Sequence, residues 1–524
     1  MSEAVIQSAE RQRLVKFLTS PLSYAHRPLE VRSIQTHISW VFIASPFVFK
    51  VKKALDLGFL DFHSLEKRHH FCQRELALNR RLAPEVYLEV LPIYKNDRGF
   101  SFHSDGEIVE YTLKMKELPH GWFLSELLSK GAVSEAEVGR IIARLQRFYD
   151  SETPTAEIEQ WGRPEKLRIS TDENFEQVQP FVGKTISRAA FEAVRHFTNS
   201  FYATNQRLFD ERIAQRRVRD CHGDLHLDHV HITPDAVTIF DCIEFNDRFR
   251  FIDIANDLAF LAMDFDFERE HRLGALFLHR AAGALGDPGI LKLADFYKCY
   301  RAFVRGKVES LQTKSGEHAQ RARRYFQLAL RYATVGSDPL VLVVMGRIAS
   351  GKSTVARRLA TELDWPMCSS DTIRKTLAGV PLTIRTGPEL RNKVYSQTMS
   401  EQTYTRLLND GLAALATHSG VVLDATFSSS ATRDYLRGEC AKARVRLQVI
   451  ELEITKSEIV KRLRAREQSA AEISDARLED FEKLNTAYEP PMELSPDLIK
   501  ISTDDAISDS VRAAFFCLAE RQAA

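Results

Sequence analysis

The chain has almost no surplus of charge: 72 lysines and arginines stand against 71 aspartates and glutamates, leaving a formal net charge of +1. That balance excludes a global field for nucleic acid or an anionic membrane, although not a local patch. Long hydrophobic runs are missing too. The longest, around WVFIASPFVF and PLVLVVMG, fall well short of the ~18 apolar residues a membrane-spanning helix needs. The first stretch, MSEAVIQSAERQRLVKFL, mixes charge into every turn and has no apolar core of signal-peptide type. Cysteine is sparse: seven residues, scattered, odd in number and without a CxxC pair. That usage argues against a disulfide framework or a thiolate metal centre and for a reduced, cytoplasmic protein. No internal repeat, no low-complexity segment and no signal of oligomeric state is present.

What is present begins with length. A chain of 524 residues exceeds one ordinary core, so two or more domains are expected. ATVGSDP (333–339) breaks a long helical run and sets the expected boundary, giving domains 1–336 and 337–524. Before it, VRSIQTHISWVFIASPFVFKVKK (31–53) alternates like two or three antiparallel strands turning at Ala44-Ser45-Pro46. Residues 65–82 and 134–149 follow helical periodicity, as does most of 186–216 and 254–333. After it, VLVVMG, GVVLDATF and RLQVIELEI are apolar, β-branched runs separated by helix-length stretches, which predicts an α/β domain with a mostly parallel, doubly wound sheet.

GRIASGKS (346–353) has the pattern G-x4-G-K-S between the apolar strand Leu340–Met345 and the helix-forming TVARRLATEL. Gly346, Ala349, Ser350, Gly351 and Thr354 belong to a loop and helix start whose backbone N–H groups would cradle the phosphates of ATP. Lys352 would reach the β- and γ-phosphates, and Ser353 would ligate Mg2+. VVLDATF (421–427) ends a strand in Asp424, at the edge where doubly wound sheets place ligand chemistry. Asp424 is read as holding the magnesium shell, with a plain capping carboxylate as the alternative.

The first domain carries HGDLHLDHV (222–230). In kinase-type loops an Asp accepts the hydroxyl proton and an Asn five residues later holds a metal ion. Here the Asp is Asp224 and the fifth residue after it is His229. The strand VTIF then delivers Asp241, placed to bind the metal that bridges the phosphates. In FVFKVKK (47–53), Val48, Lys50 and Lys52 share one strand face. Lys50 takes the place of the phosphate lysine, with Lys52 as alternate and Glu75 as ion-pair partner. YTLKMKELP (111–119) would contact adenine. No glycine-rich loop precedes Lys50, so phosphate cover falls to IQTHIS or elsewhere. Asp253 and Asp257 are read as bracing the loop. A neutral imidazole at position 229 suits zinc, manganese or iron better than magnesium. Weakened two-metal binding follows, with Asp241 holding the principal ion and Mn2+ favoured. Both FDFERE (265–270) and the stretch of Arg301, Arg305 and Lys307 are read first as solvated helix faces; as ligand contacts, the former would suit a polycation and the latter an anionic or mixed ligand.

The second half resembles the small P-loop kinases, such as gluconate kinase, the kinase half of polynucleotide kinase and zeta-toxin-like kinases, over about residues 340–491. The likeness is carried by the phosphate loop, SSDTIRK (369–375), KRLRAREQ (461–468) and, weakly, SDAR (474–477). It implies that Asp371 accepts the proton of the attacking hydroxyl, that Arg374 binds substrate, and that Arg462 and Arg466 belong to a lid over the phosphates. A helix N-cap for Asp371 and a solvated face for the arginines are the alternatives.

HGDLHLDHV is similar to the H-G-D-x-H-x-x-N loop of the aminoglycoside phosphotransferase family, implying an α+β kinase-like bilobal domain. THISWVF, FLDF, HGDLHL, IEFND and DLAFLAMD make the chain resemble two-domain proteins that fuse such a domain to a P-loop kinase-like domain. Family members act on aminoglycosides, choline, homoserine and other alcohols, so the family does not fix the substrate. The leading expectation is an ATP-dependent phosphotransferase acting on a hydroxyl of a small molecule. A ligand-sensing pseudokinase that regulates a P-loop ATPase is one competitor. A nucleic-acid 5′-hydroxyl kinase is another, and the charge balance counts against it.

Overall fold

The computed structural model describes residues 3–312, 316–382, 391, 393–467 and 478–524. The chain forms two compact units, each drawn from separated stretches: Met1–Leu167, Phe209–Asp264 and Leu276–Lys292 in the first, Arg168–Leu208, Phe265–Ala275 and Leu293–Ala524 in the second. Helical stretches that precede ATVGSDP therefore group with the carboxy-terminal sheet.

In the first unit, β1 (Arg32–Gln35), β2 (Ser39–Ala44), β3 (Phe47–Lys52), β4 (Tyr87–Asn96), β5 (Gly99–Ser101) and β6 (Glu107–Lys116) make one antiparallel sheet in the order β1-β2-β3-β6-β4-β5. The pleat sorts β3 into two faces. Phe49 and Val51 join Leu14, Leu18, Tyr24, Phe42, Ala44 and Ile93 in a core on one side. Lys50 and Lys52 face the other, where the helix Leu65–Asn79 packs on β4 and β6 through Leu76, Tyr87 and Leu113. That helix starts at Ser64, whose side chain accepts from Lys67 N, and it carries Glu75 inward.

Two short ladders then hold two loops side by side. β7 (Val218–Asp220) pairs with β10 (Phe251–Asp253), and β8 (Val230–Ile232) with β9 (Val237–Ile239). The chain crosses between the ladders twice, at 221–229 and at 240–250, so HGDLHLDHV and Asp241 become neighbours.

In the second unit, β11 (Leu340–Gly346), β12 (Met367–Ser369), β13 (Gly420–Asp424), β14 (Arg446–Glu453) and β15 (Leu498–Ser502) form an all-parallel sheet in the order β12-β13-β11-β14-β15. Every residue of β11 and β13 is buried, which is why these strands read as continuous apolar runs. Val341, Val343 and Met345 pack against Leu407, Leu408 and Leu436, and the helices Lys352–Leu363 and Ile507–Ala523 also pack on the sheet. The register sets Asp424 opposite both Val344 and Ser369, at the carboxyl edge of the sheet.

FDFERE is solvated only in its second half: Phe265, Asp266 and Phe267 are buried, and Glu268 and Arg269 are exposed. Asp266 is buried, paired with Lys298 Nζ at 2.5 Å, accepting from Tyr332 OH at 2.6 Å and meeting His271 at 3.0 Å. Arg301 is buried as well. Among the described residues, no helix is long and apolar enough to cross a membrane.

Candidate functional site

In the first unit the strand and helix positions meet as ion pairs. Lys50 Nζ lies 2.7 Å from Glu75 Oε1 and 2.6 Å from Asp241 Oδ1. Lys52 Nζ lies 2.6 Å from Glu75 Oε2 and also reaches Glu244. Glu75 is fully buried and Lys52 nearly so. Both lysines therefore serve one carboxylate, an arrangement that a choice between Lys50 and Lys52 does not anticipate. Burial alone would strip charge from these groups. The facing carboxylates override it and hold both ammonium groups above the ordinary lysine range. Glu75, between two ammonium groups, is held below the usual carboxylate range despite its burial, while burial pushes Glu244 up.

Asp241 sits at φ 62°, the left-handed region that a non-glycine residue enters at a cost. Its setting over-determines that conformation. Tyr87 OH accepts from Asp241 N at 3.0 Å, Asn79 Oδ1 accepts from Cys242 N at 2.8 Å, and His222 O accepts from Ile243 N at 3.2 Å. Burial works to raise the Asp241 carboxyl, but the Lys50 ammonium beside it holds it well below the usual range.

The loop carrying Asp224 is stitched from below. Asp257 accepts from His222 N at 3.0 Å and Gly223 N at 2.8 Å, and Tyr149 OH donates to the same carboxylate at 2.9 Å. Asp253 is held by two bonds from Arg212, at 2.8 and 2.6 Å. Asp257 braces the loop, as expected, whereas Asp253 caps the following helix at Ala255 N and pairs with Arg212. Gly223 turns at φ +85°, and a Cβ there would lie 2.6 Å from Phe249 O, so the motif needs glycine at this place.

His229 lies between two carboxylates. Its Nδ1 is 2.9 Å from the Asp224 backbone carbonyl and 3.5 Å from Asp224 Oδ2, and its Nε2 is 3.5 Å from Asp241 Oδ2. A carbonyl only accepts, so Nδ1 carries the proton and Nε2 presents a lone pair. Burial, reinforced by the neighbouring His226, pushes His229 down to about 4 and keeps the ring neutral at pH 7.

In the second unit the phosphate loop has the geometry its sequence implies. Ala349 and Gly351 take φ 58° and 86°, and the helix Lys352–Leu363 begins at Gly351. Successive left-handed turns aim backbone N–H groups inward. A Cβ on Gly346 would stand 2.6 Å from Leu452 O. Ser350 Oγ is buried with no hydrogen-bond partner among the described residues. Lys352 Nζ donates to Arg347 O at 2.9 Å. Asp424, buried at the sheet edge, accepts from Ser353 and, at 3.1 Å, from Ser369 Oγ. Burial raises its carboxyl, Ser353 and Lys352 oppose the rise, and Asp371 adds to it. Lys352, Ser353, Asp371 and Asp424 thus converge.

Arg374 is buried beneath this edge. It donates to Val394 O at 3.2 Å and Ser400 Oγ at 3.1 Å and stacks 4.9 Å over Tyr395, while its Nε has no partner among the described residues. Arg462 is bonded to Glu458 at 3.1 Å and leans to Ala349 O of the phosphate loop at 3.4 Å. The Arg466 side chain and SDAR (474–477) lie outside the described residues.

The chain also has likenesses among known proteins. Residues 58–294 fit the model of a phosphotransferase enzyme family, and residues 341–491 fit that of an AAA domain. The chain is a fusion of a phosphotransferase-family domain and a P-loop domain. Uncharacterized proteins of Mycobacterium tuberculosis (strain ATCC 25618 / H37Rv) and Mycobacterium bovis are 29% identical to it over 401 residues, 76% of this chain and 79% of theirs. A shikimate kinase of Rhodopseudomonas palustris is 34% identical over 105 residues, 20% of this chain and 47% of that protein. Among solved structures, a gluconokinase from Sinorhizobium meliloti 1021 shares 20% identity over 34% of this chain and 92% of its own, with a TM-score of 0.26.

Sequence reading of the phosphotransferase domain missed Glu244, the second partner of Lys52, although it lies in the quoted IEFND. It also missed His226, whose ring lies 3.8 Å from that of His229. A signal for His226 was available: Asp224, His226 and His229 follow the short spacing D-x-H-x-x-H. In the P-loop domain Tyr404 escaped notice; its hydroxyl accepts from Phe427 N at 3.1 Å, near Arg374, Asp371 and Asp424.

Proposed function

We propose that the chain acts through two modules, 1–336 and 337–524, as an ATP-dependent phosphotransferase on the hydroxyl of a small molecule. In the P-loop domain the loop amides and Lys352 bind the phosphates. Asp371 takes the hydroxyl proton as the oxygen attacks the γ-phosphorus and the bond to ADP breaks. Magnesium, when bound, neutralises phosphate charge, and Ser353 with Asp424 would hold it. The donor set fits a hard cation: a hydroxyl and a buried carboxylate already in contact. Arg374 is assigned to the substrate side, its buried Nε offering a donor, and Arg462 to the cover over the loop. The convergence of Lys352, Ser353, Asp371 and Asp424 at the carboxyl edge of the sheet carries this reading.

In the phosphotransferase domain Lys50, positioned by Glu75, would hold phosphate, Asp224 would be the base, and Asp241 with His229 would hold the metal. The nitrogen donor at position 229 favours Mn2+ over Mg2+. Labelled ATP and a pool of candidate alcohols, offered to the wild type, to Lys352→Ala and to Asp224→Ala, test the assignment. Transfer should fall with Lys352→Ala, and turnover unchanged by that substitution would overturn the role given to the P-loop domain.

A further inference from the structure

We propose that Asp224, His226 and His229 form a binding site for a divalent cation of the zinc class, one that captures the proposed base of the phosphotransferase domain. The inference rests on the reading of Asp224 given above. Its observable is metal binding rather than turnover.

Each of the three residues offers a ligand atom, and these atoms all lie within 4.8 Å of one another. Asp224 Oδ2 is 3.6 Å from His226 Nε2 and 3.5 Å from His229 Nδ1, while His229 Nε2 stands 3.5 Å from Asp241 Oδ2. Ligands bound to zinc at their usual lengths in a tetrahedron lie about 3.4 Å apart. The Asp224 and His226 ligand atoms stand near that spacing, and the His229 ring lies within reach of both.

The hydrogen bonds favour an ion over a proton at His229. Its one N–H, on Nδ1, is given to the Asp224 carbonyl at 2.9 Å. A metal-bound imidazole is oriented in the same way, by donating its other N–H to a carbonyl. The Nε2 lone pair is then left facing the Asp241 carboxylate, two electron-rich atoms that a cation would reconcile. His226 is buried, its ring 3.8 Å from that of His229 and tilted by 37°, and its Nδ1 accepts from Asp228 N at 3.3 Å. Ligation through Nε2 moves its proton to Nδ1 at the expense of that long contact.

Ligand chemistry then decides which ion binds. Two imidazoles add little for magnesium, which prefers oxygen, and much for zinc, which accepts nitrogen and oxygen in a small shell. An ion so held occupies the Asp224 carboxylate, and the domain loses its proton acceptor while it is bound. Zinc would be an inhibitor of this domain, in contrast to the magnesium or manganese that accompanies ATP.

The test uses the full chain stripped of metal, dialysed against micromolar zinc with magnesium in large excess, and separately loaded with Co2+ for its visible spectrum. One zinc per chain and the intense bands of low-coordinate Co2+ are expected. His226→Ala and His229→Asn should each weaken zinc binding by about 100-fold. His226→Gln serves if circular dichroism shows the alanine variant to be misfolded. Failure of the wild type to take up zinc, or zinc affinity unmoved by all three substitutions, overturns the site. A wild type that takes up no zinc yet keeps Asp224-dependent phosphotransfer would sink this inference alone. Zinc bound as expected in a protein with no such transfer would sink only the functional reading.

Discussion

The two candidate sites are built on opposite plans. In the P-loop domain the cradle is one contiguous segment, Gly346 to Thr354, and its work is done by backbone amides with one lysine. In the phosphotransferase domain Lys50 and Asp241 meet across 191 positions of sequence, and the site is a lattice of side-chain charges. A backbone cradle depends on few side chains, chiefly glycines and a lysine. A buried charge lattice is collective: removing one of Lys50, Lys52, Glu75 or Glu244 strands its partners away from water. The first plan puts sensitivity into chemistry, the second into folding.

The largest effect that would sharpen this contrast is expected at Lys352. Lys352→Ala removes the charge over the phosphates from a cradle that otherwise stays folded, so phosphotransfer by the P-loop domain should fall by about 10³-fold while the melting temperature barely moves. Glu75→Gln should do the reverse. It leaves Lys50 and Lys52 without their shared carboxylate, a loss of about 3–5 kcal/mol expected for a broken buried pair. Calorimetry of the full chain should record an earlier unfolding transition, with nucleotide binding at the P-loop retained. A stable Glu75→Gln variant would break the distinction.

Acid gives the third contrast, because His229 in one site and Asp424 in the other are shifted in opposite directions. His229, pushed to about 4, binds its proton less readily folded than unfolded. Its contribution is complete above the ordinary histidine value of about 6.5 and is lost as pH falls from there to about 4, on the order of 3 kcal/mol. His222, also lowered by burial, has the same sign. Asp424 is raised, so its folded form takes a proton more readily and acidification relieves it. Calorimetry between pH 7 and pH 5 should find the phosphotransferase domain losing stability, and His229→Asn should flatten that dependence.

The same division governs what could be read in advance. GRIASGKS is local, so its strand, loop and helix were legible, as were the parallel sheet from its unbroken apolar runs and the antiparallel strands of 31–53, expected as two or three, from alternation. The lysines, Glu75, Asp224 and Asp241 were legible as residue types at familiar spacings. Their partners were not. Nothing near Lys52 in sequence announces Glu244, which reaches it only after the loops between the two short ladders have closed. The left-handed turn at Asp241 is equally a product of tertiary bonds, from Tyr87 and Asn79. Burial of Asp266 could not be seen either, because its partners Lys298 and Tyr332 come from helices distant in sequence.

The smallest effect concerns the one position where the phosphotransferase loop departs from the Asn of its family. Asn at position 229 would offer magnesium a carbonyl oxygen in place of the His229 lone pair and keep an N–H for the Asp224 carbonyl. The braces beneath the loop, Asp257 and Tyr149, do not touch position 229, so the loop should hold its shape. In a Lys352→Ala background, where turnover by the P-loop domain is suppressed, His229→Asn should raise Mg2+-dependent phosphotransfer by about tenfold and narrow the advantage of Mn2+, since one ligand of better-matched hardness is worth about 1.4 kcal/mol on this scale. Unchanged magnesium dependence would mean that the metal is held without position 229, and the difference between the two sites would then lie in their scaffolds rather than in their ligands.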